Sequence, residues 1–197
     1  MSPIALLDKK VSGVRSRLGK MTAGAIGLWF AVEVSLVLVI AWMLAESNLW
    51  SQGSGIPALL DMLVLLGCAG SWLIHHLIMR YLFAEDPLTV VMERAAGLRS
   101  GVLRGSMELG RELPGGVSQV LANEAASRVL TRLGKYSSGG LTGELGKLIQ
   151  LWTRRGSAAL VASILLLVIL GVANPSRSSQ VWGSLSSPLE AMRDPVL

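Results

Sequence analysis

Residues 157–173 read SAALVASILLLVILGVA, an apolar run without one charged side chain. A helix that crosses a bilayer needs roughly 20 mostly apolar residues, because its backbone groups meet no water in the hydrocarbon and must bond within the helix. Taken from Gly156 to Ala173, this stretch reads as a transmembrane helix rather than as a buried soluble one. Two earlier runs, at about 22–44 and 56–83, meet the same requirement. The expected fold class is therefore all-α integral membrane: three transmembrane helices with a small helical cytoplasmic subdomain. Composition agrees, since 16% of the chain is charged against about 25% in an ordinary soluble domain. Mean hydropathy is +0.54.

Charge orients these runs. Lys9, Lys10, Arg15, Arg17 and Lys20 precede the first run against Asp8 alone, and the link from Ala45 to Gly55 holds only Glu46. From Arg80 to Arg155 stand eleven basic and seven acidic residues. Beyond the third, Arg177 and Arg193 are balanced by Glu190 and Asp194. Lys and Arg collect in cytoplasmic loops near helix ends. The expected organisation is a basic cytoplasmic N-terminus (1–21), a transmembrane hairpin (22–83), a cytoplasmic helical insert (84–155), a third transmembrane helix (156–173) and an extracytoplasmic tail (174–197). The expected location is the bacterial inner membrane. The net charge of +5 then reads as topology and contact with anionic lipids, with no nucleic-acid partner.

The first run is too long for the apolar core of a cleaved signal peptide, and no clear small-x-small site follows it. Trp42 and Trp50 flank its outer end, while Trp152 beside Arg154 and Arg155 marks the inner start of the third run, as an interfacial belt would. The single cysteine, Cys68, lies within the second run and reads as a small packing residue.

The insert has its own periodicity. Asp86-Pro87 resembles a helix start, with Asp as cap and Pro in the first turn. Leu88, Val91, Met92, Ala95, Leu98, Val102 and Leu109 then recur at helical spacing, which predicts a helix to about Glu112. Pro114-Gly115-Gly116 breaks the chain. Val117, Leu121, Ala125, Val129 and Leu133 step by four and predict a second helix ending at Gly134, with Glu124 and Arg128 as a surface pair. After a connector at 135–140, a third helix from Leu141 runs through Trp152 into the last span. Gly97, Gly101 and Gly105 sit at intervals of four in the first of these helices, where each costs about 1 kcal/mol relative to Ala. Either another helix approaches closely there, or the helix ends near Gly97.

Within the spans, Gly27, Ala31 and Ser35 form a small-xxx-small row, as do Gly67 and Ser71, so these positions are candidates for helix packing. Glu33, near the middle of the first run, is the most suggestive polar residue, because an intramembrane carboxylate is costly. Proton or ion translocation is one reading, with Ser71, His75 or His76 as partners. A neutral Glu33 hydrogen-bonded between helices is the preferred one. His75 and His76 are adjacent, about 100° apart on a helix, so they lack the same-face geometry of an i,i+4 metal pair. The sequence holds no phosphate-cradling glycine loop, HExxH or CxxC. The expectation is a non-enzymatic protein with no catalytic residues, cofactor or metal.

The tail, from Asn174-Pro175 through a polar stretch with Trp182 as a surface anchor, ends without a folded element. It reads as the approach to an external domain, and hence as part of a longer chain; the alternative is a short protein with a loose polar tail. Several stretches are Leu82-Phe83-Ala84-Glu85-Asp86-Pro87, Leu98-Arg99 through Met107-Glu108-Leu109, Asn123-Glu124-Ala125-Ala126, Ala173-Asn174-Pro175 and Ser187-Pro188-Leu189. In order, they resemble the N-terminal membrane region of an uncharacterised family of large bacterial envelope proteins. The resemblance implies two membrane helices, a cytoplasmic helical insert, a third membrane helix and an extracytoplasmic region, and it carries no catalytic residues. The long external region of that family is missing here. The functional expectation is a membrane anchor or assembly subunit that scaffolds a complex or an extracytoplasmic part. Its partners would be other membrane subunits or further copies of itself. The alternatives are a small ion- or proton-conducting subunit using Glu33, and a holin-like permeabilising protein.

Overall fold

The structure, a computed structural model, describes residues 2–45, 55–111, 118–137 and 139–186. Glu46, Trp50, Glu112, the Pro114-Gly115-Gly116 break, Val117, Ser138 and the tail from Ser187 onward lie outside the described residues. The chain is helical: α1 (Pro3–Leu44), α2 (Ile56–Leu77), α3 (Glu85–Ala95), α4 (Val102–Arg111), α5 (Gln119–Gly134), α6 (Gly143–Ala173) and α7 (Pro175–Ser186). A π-helical turn, Ile78–Leu82, follows α2, and a 3-10 turn, Gly140–Thr142, precedes α6. Three of these stretches, Pro3–Leu44, Ile56–Leu82 and Gly140–Ala173, are long and apolar enough to cross a membrane.

Two compact units are present. The first comprises Met1–Ala23 and His75–Leu151, the second Gly24–Ile74 and Trp152–Leu197. In the first, α1 begins two residues into the chain. The Ser2 hydroxyl accepts from the Ala5 amide at 3.3 Å and Pro3 occupies the first helical position, a capped start. Leu7, Val11, Val14 and Leu18 then form one buried stripe at spacings of four, three and four. They share a core with Phe83, Leu88, Met92, Leu103, Met107, Val129, Leu133 and Leu141. The basic N-terminal stretch is therefore a core helix of this unit as well as a charged surface. Lys10 ties it down by donating from Nζ to the Leu133 carbonyl at 2.7 Å, near the end of α5, where that oxygen also accepts from the Tyr136 amide at 3.2 Å.

The single helix expected from Asp86 to Glu112 is two helices. α3 closes after Ala95 with the Leu98 amide donating to the Glu93 carbonyl at 2.8 Å and the Gly97 amide to Arg94 at 3.3 Å. Gly97 has φ +61°, the left-handed conformation this ending requires and a side chain would strain. Gly101, at φ +85°, turns the chain into α4. α5 starts where Ser118 accepts from the Leu121 amide. The helix from 141 into the third span is continuous from Gly143 to Ala173.

The second unit has a smaller core. Val37, Ala41, Leu60 and Val181 are buried together, with Trp42, Val64 and Leu185 packed against them. Asn174 ends α6 and starts α7, since its side-chain oxygen accepts from the Arg177 amide at 3.2 Å and from the Ser176 hydroxyl at 2.8 Å. Residues 175–186, expected as a loose polar tail, thus form a capped helix that buries Val181. Elsewhere this unit buries Ala25, Val32 and Val39 and leaves most of its apolar side chains uncovered. Only 11% of the most apolar window in α2, and 11% of that in α6, is buried.

Candidate functional site

Glu93 is a buried acid in the first unit. It is 2% exposed, and its carboxylate accepts from the amides of Gly101 (2.9 Å), Leu103 (2.7 Å) and Arg104 (3.4 Å). These belong to the first turn of α4 and the residue before it, where no intrahelical acceptor exists and the helix dipole favours negative charge. A side chain of α3 therefore caps α4 across the Ala96–Gly101 turn. Around this lock lies a ring of exposed ion pairs. Arg104 meets Glu108 at 2.8 Å and Asp86 at 3.5 Å, and Arg111 meets Glu85 at 2.6 Å and Asp8 at 3.9 Å. The hydrogen bond to Glu108 is the main reason Arg104 holds its proton even more firmly than a free arginine; Glu85 does the same for Arg111. Exposed pairs of this kind contribute little to stability singly; here they link α1, α3 and α4 at the surface of the core those helices share.

Beside the lock, α4 and α5 leave an open groove of about 510 Å³. Leu121, Ala125 and Val129 line one wall, and Leu98, Val102 and Ser106 the other. Leu121 is 65% exposed and Val102 37%. Arg99, Arg128 and Arg132 border it, with Glu124 bound to Arg128 at 3.0 Å.

In the second unit, the Glu33 carboxylate lies directly against Gly67, in the space a side chain at 67 would fill. Glu33 and Ser71 are half-buried. Ser35 is buried, and its hydroxyl donates to the Ala31 carbonyl of its own helix at 2.8 Å. A Cβ at Gly27 would meet no atom within 4 Å among the described residues. His75 and His76 fall in the first unit. Nδ1 of His75 is buried without a hydrogen-bond partner among the described residues, and His76 is exposed. Cys68 is exposed. Gly97, Gly101 and Gly105 likewise have open space where a Cβ would stand. Gly97 and Gly101 serve backbone conformation rather than close approach of a neighbouring helix.

Close approach occurs at other glycines. Ile4 of α1 lies against Gly110 of α4, and Met79 against Gly19. The Trp29 indole and Leu28 press on Gly156, and Trp29 also meets Trp152 edge-on at 5.6 Å. Sequence reasoning missed the Leu7-Val11-Val14-Leu18 stripe, whose spacing was readable, and Glu93, which nothing in the sequence marks. Asp61, which the sequence places near the start of the second apolar run, is the other acid of this unit: its Oδ2 is buried without a hydrogen-bond partner among the described residues. Asp61 borders a pocket of about 320 Å³ with Val34, Val37, Val64 and Trp182. Near it, Trp42 donates from Nε1 to the Ser178 hydroxyl at 3.3 Å and lies 4.4 Å beneath the Arg177 guanidinium. Among the described residues, no three His, Cys, Asp or Glu side chains converge on a common point. Comparison with known families, curated proteins and solved structures finds no match.

Proposed function

We propose that this chain is a non-enzymatic, multi-pass anchor or assembly subunit of the bacterial inner membrane. In this reading the N-terminus and the insert are cytoplasmic and α7 is extracytoplasmic. One observation carries it: a single uninterrupted helix, α1, supplies both the buried stripe of a closed helical unit and an apolar segment of membrane-crossing length. A chain built this way holds a folded helical body at a bilayer, and that body offers an uncovered apolar groove to other proteins. Large exposed apolar surface on a folded body is the usual mark of an interaction site. Anionic lipid contact through the basic residues accords with the net charge of +5. The test is copurification in mild detergent from native membranes. A stoichiometric partner, or a defined homo-oligomer without conductance, is the expected result; a protein that runs as a monomer under all mild conditions overturns the proposal.

A second reading has its own observation. Glu33 and Asp61 place two carboxyl groups on α1 and α2 of the same unit, Asp61 with an unpartnered oxygen. Such groups are functional candidates in a membrane. Reconstitution into liposomes decides it, because conduction requires a proton or cation flux that disappears in Glu33→Gln or Asp61→Asn.

A further inference from the structure

We infer that the groove between α4 and α5 receives an acidic amphipathic helix of a partner protein. This rests on the assembly reading above and names the chemistry of the partner. The groove follows α5 from Leu121 to Arg132, roughly 17 Å at 1.5 Å per residue, which matches about three turns of a guest helix. Its floor and walls are apolar and concave, with Leu121 and Val102 facing outward from opposite helices. Concavity favours the ridge of a helix over a flat lipid surface, since a bilayer is met by a convex or planar apolar face.

Charge selects the guest. Arg128 is engaged by Glu124, whereas Arg99 and Arg132 make no ion pair among the described residues. Arg128 and Arg132 stand in the last two turns of α5, and Arg99 in the turn leading to α4. A cationic border beside an apolar trough favours a helix whose apolar seam is flanked by Glu or Asp. Opposite charges across such a border raise specificity and reject cationic helices.

The test uses the full chain in nanodiscs of zwitterionic lipid. The probe is a fluorescent designed helix of about fourteen residues, four turns, with a leucine seam flanked by glutamates; its companion carries lysines instead. The expected result is saturable binding of the glutamate helix at least about tenfold tighter than the lysine helix. The Arg99→Glu/Arg132→Glu variant should invert that preference, and Leu121→Ser should weaken both peptides while circular dichroism stays unchanged. Absent saturable binding, equal binding of the two helices, or a preference unaltered by the charge reversal overturns the inference. So does displacement of the glutamate helix by anionic vesicles that bind through the same arginines, which would make the groove a lipid site. A native partner that still copurifies with the groove variants sinks this assignment alone. Absence of any partner sinks the assembly reading.

Discussion

Glu93 illustrates how one side chain can decide a turn. Between α3 and α4 the chain must end one helix, reverse and begin another, and the new helix starts with amides that have no acceptor. The carboxylate supplies one while buried at 2% exposure, so its own desolvation is offset by those three amide bonds. Glu93→Ala should remove them and leave the buried Leu103 amide unsatisfied, while the amides of the exposed Gly101 and Arg104 turn to water, at a cost of about 1–3 kcal/mol. Hydrogen exchange at Gly101, Leu103 and Arg104 should accelerate first. Unchanged protection at those amides would show that the carboxylate is not the cap. Gly97→Ala is the companion case: at φ +61° a side chain costs about 1–2 kcal/mol, so a thermal melt of that variant should drop modestly. If it does not, the left-handed ending is not retained in solution.

At the scale of elements, the three long apolar helices were legible because length and lack of charge leave little else for such runs to do. The rest was obscured where two signals share the same residues. Lys9, Lys10, Arg15, Arg17 and Lys20 look like a topological tag, yet Leu7, Val11, Val14 and Leu18 between them repeat at helical spacing and are all buried. Asn174-Pro175 ends one helix and caps the next. Gly97, Gly101 and Gly105 suggest a packing row by spacing, but glycine equally supplies positive φ, and spacing alone does not separate these uses. The core role of the α1 stripe is testable. Leu18→Ala, at a site with 0% exposure, should cost about 2–5 kcal/mol. Lys20→Ala, at an exposed site, should stay within about 0.5 kcal/mol. Limited proteolysis reads both; equal protection of the two variants would mean that the N-terminal helix does not belong to the core.

At the scale of the whole molecule, the chain divides its apolar residues between two environments. The first unit closes them around a core, whereas the second leaves most of them uncovered, a distribution suited to lipid. In lipid the driving force for helix association is close packing rather than exclusion of water, so small residues that admit a neighbour decide which helices meet. Gly67 is such a residue, and its neighbour is the Glu33 carboxylate. A methyl group at 67 would displace that carboxylate, and because it is the end of a flexible chain the steric cost is small. The larger cost is electrostatic, since the group must find another polar site within an apolar segment. Gly67→Ala should therefore destabilise the second unit measurably in detergent melts. Glu33→Ala should relieve most of that loss in the double variant, giving a coupling of about 0.5–3 kcal/mol, as expected for residues in contact. Additive effects would mean that the two side chains do not meet. Glu33→Gln keeps the volume and a hydrogen-bonding head, so a packing role predicts that it melts and assembles like the unaltered protein. A variant that assembles normally but has lost a flux carried by the unaltered protein would instead assign Glu33 to conduction.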